Sequence, residues 1–206
     1  MDCVKDLLGE MPVLMPETAI HRGFYTGWHK DTTSQEKAGH RFHYEKEALM
    51  MEAGFYLQDN DDLGGGLTVM PVSHTDQDIF HLPRRKRSLM TRVLAKMKGY
   101  NEEEDESINP HKRRIKTIPS KAGDLVIFNF LLNHRATRPR FVKPEEIPVE
   151  KSKLAFFNAF AANNSYAKDY LDFLYSRKEP FYQALKSSAR NPELSSYCKK
   201  NAIQLF

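Results

Sequence analysis

His29 and Asp31 stand two residues apart in "GWHKDTT" (27–33). In an extended strand, residues i and i+2 leave from the same face, a few ångström apart. A neutral imidazole offers a nitrogen lone pair and a carboxylate offers a hard anionic oxygen. A second histidine would complete the two-histidine, one-carboxylate facial arrangement that non-haem iron uses. An isolated His-x-Asp is a weak signal, so the third ligand decides its meaning. His134 is the candidate: it closes the apolar run "GDLVIFNFLLNH" (123–134), at the strand mouth where a β-barrel would hold a site. A lone histidine there is more often simply hydrogen-bonded, and it is the order of the three residues and their flanking strands that gives it weight.

The elements that must position these residues are mostly strands. Residues 47–59 form an apolar, aromatic run that reads as a buried strand, "NDDLGGG" (60–66) reads as a turn, and "LTVMPVSH" (67–74) as a second strand, together a hairpin. Residues 113–134 contain a short strand, a Gly-Asp turn at 123–124 and a strongly apolar strand. Residues 153–161, "KLAFFNAFA", read as another. Leu89, Met90, Val93, Leu94 and Met97 recur at helical spacing over 86–98, residues 100–112 read as a polar loop, and 166–177 and 179–189 read as helices. The segment before His29 reads as short and irregular, broken by Pro12 and Pro16. An all-β middle with helices at the edges fits a sandwich or barrel, and 206 residues suit one domain.

Composition narrows the class. No apolar run approaches the ~20 residues of a membrane helix. The N-terminus does not read as a signal peptide. Cys3 and Cys198, at opposite ends of the chain, read as free thiols in a reducing compartment, so a cytoplasmic location is expected. The net charge is +4. "PRRKR" (83–87) and "HKRRIK" (111–116) flank the acidic "NEEEDE" (101–106) and read as solvated surface, so nucleic acid is not the expected partner.

Three blocks, "GWHKD" (27–31), "GFYLQDNDDLGGGLTVMPVSH" (54–74) and "AGDLVIFNFLLNH" (122–134), resemble the phytanoyl-CoA dioxygenase family of 2-oxoglutarate-dependent Fe(II) oxygenases. The resemblance implies a mainly β double-stranded β-helix (jelly roll, cupin-like) with peripheral helices. It implies Fe(II) held by His29, Asp31 and His134, and 2-oxoglutarate as co-substrate. O₂ and a small or medium organic molecule are the implied partners, the outcome is hydroxylation or another oxidation of an unactivated C–H bond, and a homo-oligomer is left open. His74 matches a structural histidine of the family and is kept out of the triad. His40 and His43 are expected over the site or at the surface. Phe24, Tyr25, Trp28, Phe42 and Tyr44 suit its mouth, or the core.

The family's arginine for the distal carboxylate of 2-oxoglutarate has no direct match. Lys153 replaces it by strand register, whereas Arg140 or Arg138 is nearer by distance along the chain. A lysine brings charge without the bidentate fork of arginine. Lys153 is slightly favoured, and Thr32 is a further candidate for the co-substrate carboxylate. Two rivals stand beside this reading. One is a cupin-like metalloenzyme using the same triad without 2-oxoglutarate; the other is a non-catalytic β-barrel module binding nucleic acid or protein.

Overall fold

In the computed structural model of the chain, residues 2–9, 11–40, 47–76, 90, 93, 103, 105, 108–188 and 191–205 are described. Their strands are β1 (Val13–Arg22), β2 (Met50–Tyr56), β3 (Leu67–Val69), β4 (Lys116–Thr117), β5 (Leu125–Asn129), β6 (His134–Ala136), β7 (Leu154–Ala161) and β8 (Gln204–Leu205). They form a five-stranded sheet in the order β5-β2-β7-β1-β8 and a three-stranded sheet in the order β4-β3-β6. All pairings are antiparallel except β1 with β8. Tyr56, Phe128 and Phe157 from the large sheet meet Leu67 and Val69 from the small one in a single buried cluster. This is the two-sheet jelly-roll core.

The α-helices with bounds among the described residues surround it: α1 (Asp2–Leu8), α2 (Thr33–Lys37), α3 (Ser165–Ser176), α4 (Pro180–Ser188) and α5 (Pro192–Lys200). The run at β2 is largely apolar because residues on both of its faces are packed. Glu52, Gly54 and Tyr56 face the interior of the roll, while Ala53 packs with Phe160 under Val4 and Leu8 of α1. α3 begins at Asn164, whose side chain accepts from the N–H groups of Tyr166 and Ala167, the usual N-cap arrangement. Its buried stripe of Ala167, Tyr170, Leu171 and Leu174 closes one end of the roll against Val13, Met15 and Phe130. Burial of each large side chain there contributes about 1.5–3 kcal/mol. Among the described residues, no helix is long and apolar enough to cross a membrane.

Four sequence expectations are corrected. The segment before His29 is not irregular: it holds α1 and the ten-residue β1. β1 accommodates Pro16 because its register with β7 shifts between Leu14 and Thr18, and an irregularity is where a strand tolerates a residue without an N–H. The expected hairpin does not form. β2 and β3 belong to different sheets, since the Gly-rich link crosses the roll instead of turning back within one sheet. The run 123–134 is not one strand. The Asn129 side chain accepts from the N–H of Leu131, a local turn that ends β5 and lets His134 begin β6 in the opposite sheet. The tail carries α5 beyond the two expected helices, capped by Asn191. The helix expected over 86–98 and the loop over 100–112 lie largely outside the described residues, as do "PRRKR", Phe42, His43 and Tyr44.

The link between sheets depends on Gly64. Its φ is +71°, and a Cβ there would lie 2.4 Å from the carbonyl oxygen of Thr137. The next two residues are docked on the same segment, Gly65 N–H to Thr137 O at 2.9 Å and Thr137 N–H to Gly66 O at 2.8 Å. Gly64→Ala is therefore expected to lower the unfolding free energy by about 2–3 kcal/mol, through both strain and clash. Urea denaturation measures it, and a change below about 0.5 kcal/mol would show that the turn does not hold this conformation.

Candidate metal centre

His29 lies outside any named strand, joined to His134 by a single antiparallel bridge. The bridge is reciprocal: His29 N–H donates to His134 O and His134 N–H donates to His29 O, both at 2.9 Å. Two residues that exchange both hydrogen bonds sit at a fixed, short separation, and the two imidazole centroids are 4.4 Å apart. Asp31 is in a turn, not in the extended strand expected from its spacing. That turn still brings its Oδ1 to 3.7 Å from His29 Nε2 and 3.6 Å from His134 Nε2. One ligand atom from each of the three residues lies within 4.8 Å of the others.

The two rings are oriented by the same device. His29 Nδ1 is 2.8 Å from the carbonyl of Gly27, and His134 Nδ1 is 2.9 Å from the carbonyl of Leu132. A carbonyl only accepts, so each Nδ1 carries the hydrogen and each Nε2 presents its lone pair to the shared space. Metal-bound histidines are held in this way by outer hydrogen bonds. Asp31 Oδ2 is buried and accepts no hydrogen bond, which for a carboxylate leaves a cation as the missing partner.

The electrostatics point the same way. Burial lowers the His134 imidazole to about 4 and also lowers His29, where His134 adds to the effect. Burial raises Asp31 to about 6, against the pull of His29. Each group is driven toward its uncharged form by the same removal from water. Neutral imidazole is the ligating form, and a bound cation restores the carboxylate. The residues fit a divalent metal ion.

The residue between the ligands fixes the turn. Lys30 is 1% exposed, and its Nζ donates to the carbonyls of Ser73, at 3.0 Å, and Asp76. The Asp76 carboxylate is in turn gripped by Arg113, Nε to Oδ2 at 2.8 Å and Nη2 to Oδ1 at 2.6 Å. Arg113 belongs to the basic run read as solvated surface, yet its guanidinium is engaged in this pair. A lysine facing away from its two ligand neighbours thus anchors the His-x-Asp segment to the loop at 73–76.

A cavity of roughly 270 Å³ opens on the triad, at the small end of the range for ligand sites. Phe128, Phe130 and Phe157 supply apolar wall, and the Phe128 ring lies 4.8 Å from that of His134. Lys153 also lines it. Lys153 is 3% exposed, its ammonium stands 5.3 Å from the Phe157 ring, and burial lowers it to about 8. Arg140 is elsewhere: its Nη1 is 3.3 Å from Asp62 on the surface. Thr32 is fully buried and donates to Glu36 Oε1 at 2.9 Å, outside the lining. Arg138 is also outside the lining.

Other expectations resolve as packing. His74 sits in a short 3₁₀ turn, Ser73–Thr75, away from the cavity. His40 packs against the rings of Tyr170 and Phe173, not over the site. Phe24 touches His21, Tyr25 donates to Leu63 O, and Trp28 stacks against Arg135. Sequence reasoning missed Glu17, His21, Glu52 and Tyr56, all of which line the cavity. Glu52, the one acid in the apolar run 48–57, was the available signal. Glu17 and His21 sat in a segment read as irregular.

The profile of the family described as phytanoyl-CoA dioxygenase (PhyH) matches residues 3–140. No curated protein matches the chain. Among solved structures, EctD from S. alaskensis with bound Fe is similar at 18% identity and TM-score 0.48, over 78% of this chain and 48% of that one. EvdMO1 is similar at 18% identity and TM-score 0.44, over 79% of this chain and 30% of that one. SnoN, a non-haem α-ketoglutarate-dependent epimerase from nogalamycin biosynthesis, is similar at 14% identity and TM-score 0.42, over 79% and 57%. The chain spans about half or less of the length of the first two. With the profile covering two thirds of its residues, and a His-Asp-His centre in a two-sheet roll, the chain belongs to the phytanoyl-CoA dioxygenase family.

Proposed function

We propose that this protein is an Fe(II)- and 2-oxoglutarate-dependent oxygenase that hydroxylates or otherwise oxidises an unactivated C–H bond of a small or medium organic molecule. The observation that carries it is the triad, with two Nε2 lone pairs preset by backbone carbonyls and a buried Asp31 oxygen without a hydrogen-bond partner. The bound iron would supply the coupling of O₂ and 2-oxoglutarate to substrate oxidation, which for a hydroxylation gives succinate, CO₂ and an alcohol.

The chain's own residues do the rest. His29, Asp31 and His134 would hold the metal at the cavity wall, where it would supply the site for co-substrate and O₂. Lys153 is the cation of the cavity wall and is assigned to the distal carboxylate of 2-oxoglutarate. Its burial beside Phe157, without a hydrogen bond to any carboxylate among the described residues, supports that role over Arg140 and Thr32. The phenylalanine walls exclude water, which strengthens the pairing of Lys153 with an anion. Cys3 is exposed and Cys198 buried, and neither is in a disulfide. Free thiols accord with the proposed cytoplasmic location.

The direct test is anaerobic titration of the metal-free protein with Fe(II) and 2-oxoglutarate, following the visible charge-transfer band of the chelate. The band is expected in the wild type and absent in His134→Ala. Iron binding without a band would assign the triad to an enzyme that does not use 2-oxoglutarate. Absence of iron binding would overturn the oxygenase reading.

Lys153 makes a second prediction. Its folded-state value of about 8 lies below the ordinary 10.5, so burial costs the folded protein roughly 3 kcal/mol at pH 7. Below pH 8 both states hold the proton and the cost is complete. Between pH 8 and 10.5 the folded state has shed a proton that the unfolded state keeps, and the cost fades. Lys153→Met is therefore expected to stabilise the metal-free protein by about 1–3 kcal/mol at pH 7 and by little above pH 10.5. The same change should weaken 2-oxoglutarate binding about tenfold or more. Denaturation at the two pH values and co-substrate titration measure both. Unchanged co-substrate affinity would remove Lys153 from the site.

A further inference from the structure

The cavity has two electrostatic poles, and only one of them is used by the reading above. Lys153 stands on the side whose field reaches His21, His29 and His134. On the other side are Glu17 and Glu52: the charge of Asp31 acts on both, and that of Glu17 acts on Glu52. Neither glutamate belongs to the group of ligand atoms within 4.8 Å of one another. The metal centre therefore leaves both unexplained.

Their surroundings differ in a telling way. Glu17 is held: Tyr170 donates its hydroxyl to Oε2 at 2.6 Å, and Gln35 donates Nε2 to Oε1 at 2.7 Å. Glu52 is 9% exposed, faces the cavity from the middle of β2, and accepts no hydrogen bond among the described residues. Tyr56, four residues further along the same face, is fully buried, lines the same cavity, and has a hydroxyl with no partner among the described residues. An unpartnered carboxyl and an unpartnered hydroxyl on one cavity wall leave room for a ligand that carries N–H donors. Gly54 keeps the space open between them, since a Cβ there would meet the Phe157 ring at 2.8 Å.

The sign of that ligand follows from charge. Burial pushes the Glu17 carboxyl up to about 7 and the Glu52 carboxyl well above the usual range, because no basic side chain is set against them. A cation arriving in the cavity supplies the counter-charge that lets them ionise, whereas an anionic substrate would meet three carboxyl groups on this side. Phe128 and Phe130 provide aromatic faces that an alkylammonium also favours.

The geometry points to a substrate that is an organic cation with N–H donors, a protonated amine, whose nitrogen is received by Glu52 with Glu17 and Tyr56 beside it while its alkyl portion faces the triad. This rests on the oxygenase reading for the role of the triad, and the test separates the two.

The full chain is loaded with Mn(II) and 2-oxoglutarate, loading is followed by electron paramagnetic resonance, and calorimetry then compares n-butylammonium, butan-1-ol and butyrate. n-Butylammonium is expected to bind about tenfold or more tightly than butan-1-ol, and butyrate more weakly than either. Glu52→Gln, which keeps shape and removes charge, is expected to erase that preference while Mn(II) loading and melting behaviour persist. Equal binding of the amine and the alcohol by the wild type, preference for butyrate, or an undiminished preference in Glu52→Gln would each overturn the inference. The wild-type comparison alone decides the matter where the variant fails to fold. Absence of discrimination in the wild type, with its Mn(II) loading intact, sinks the cationic substrate and leaves the oxygenase reading standing. Failure to load Mn(II) sinks the oxygenase reading, and the three probes are then compared on the metal-free protein.

Discussion

Two backbone hydrogen bonds, exchanged between His29 and His134 at 2.9 Å, are the constraint on which the centre depends. They tie a loop that follows β1 to the first residue of β6, so two histidines far apart in sequence become neighbours. Backbone hydrogen bonds thus share the entropy cost of gathering the candidate ligands. The rest of the local structure protects this bridge. Lys30 anchors the residue between the ligands to the carbonyls of Ser73 and Asp76. Ser73 Oγ in turn accepts from the N–H of Asn133, next to His134. Both ligand-bearing segments are therefore tied to the same short turn.

The second organising fact is the concentration of charge-capable groups in a dry space. Asp31, Glu17, Glu52, His29, His134 and Lys153 all line one cavity, and burial drives each toward its neutral form. A protein selected only for stability replaces such groups with apolar ones, because an unpaired buried charge costs more than a hydrophobic contact. Such a concentration of buried, charge-capable groups in one cavity marks a functional site. The aromatic walls supply the low dielectric that makes a charge pairing there strong once formed.

The fold explains how these groups reach one cavity. Strand β1, with its irregularity at Pro16, delivers Glu17 and His21 to the cavity. β2 delivers Glu52 and Tyr56, β7 follows Lys153, and α3 caps the end with Tyr170 reaching back to Glu17. The Gly-rich link at 64–66 passes close under Thr137 and Lys153, so the crossing between sheets and the Lys153 wall of the cavity are one piece of structure.

Much of this was legible from residue types and order. The His-x-Asp pair, a histidine after a long apolar run, the apolar strands and the helical tail are local patterns, and local patterns survive the loss of three-dimensional context. The sheet to which each strand belongs was not legible, because an apolar run does not encode its partner. For the same reason β1 was hidden by its prolines, the run ending at His134 looked unbroken, and Glu17 had no visible neighbour. The choice of Lys153 over Arg140 turned on which side chain faces inward, a matter of register across sheets. The orientation of both imidazoles rests on backbone carbonyls, which every residue has and no sequence displays. The sequence by itself determined which atoms were available for a metal and for charged ligands. Only the tertiary structure decided which of them share one buried space, because that depends on contacts between segments far apart along the chain.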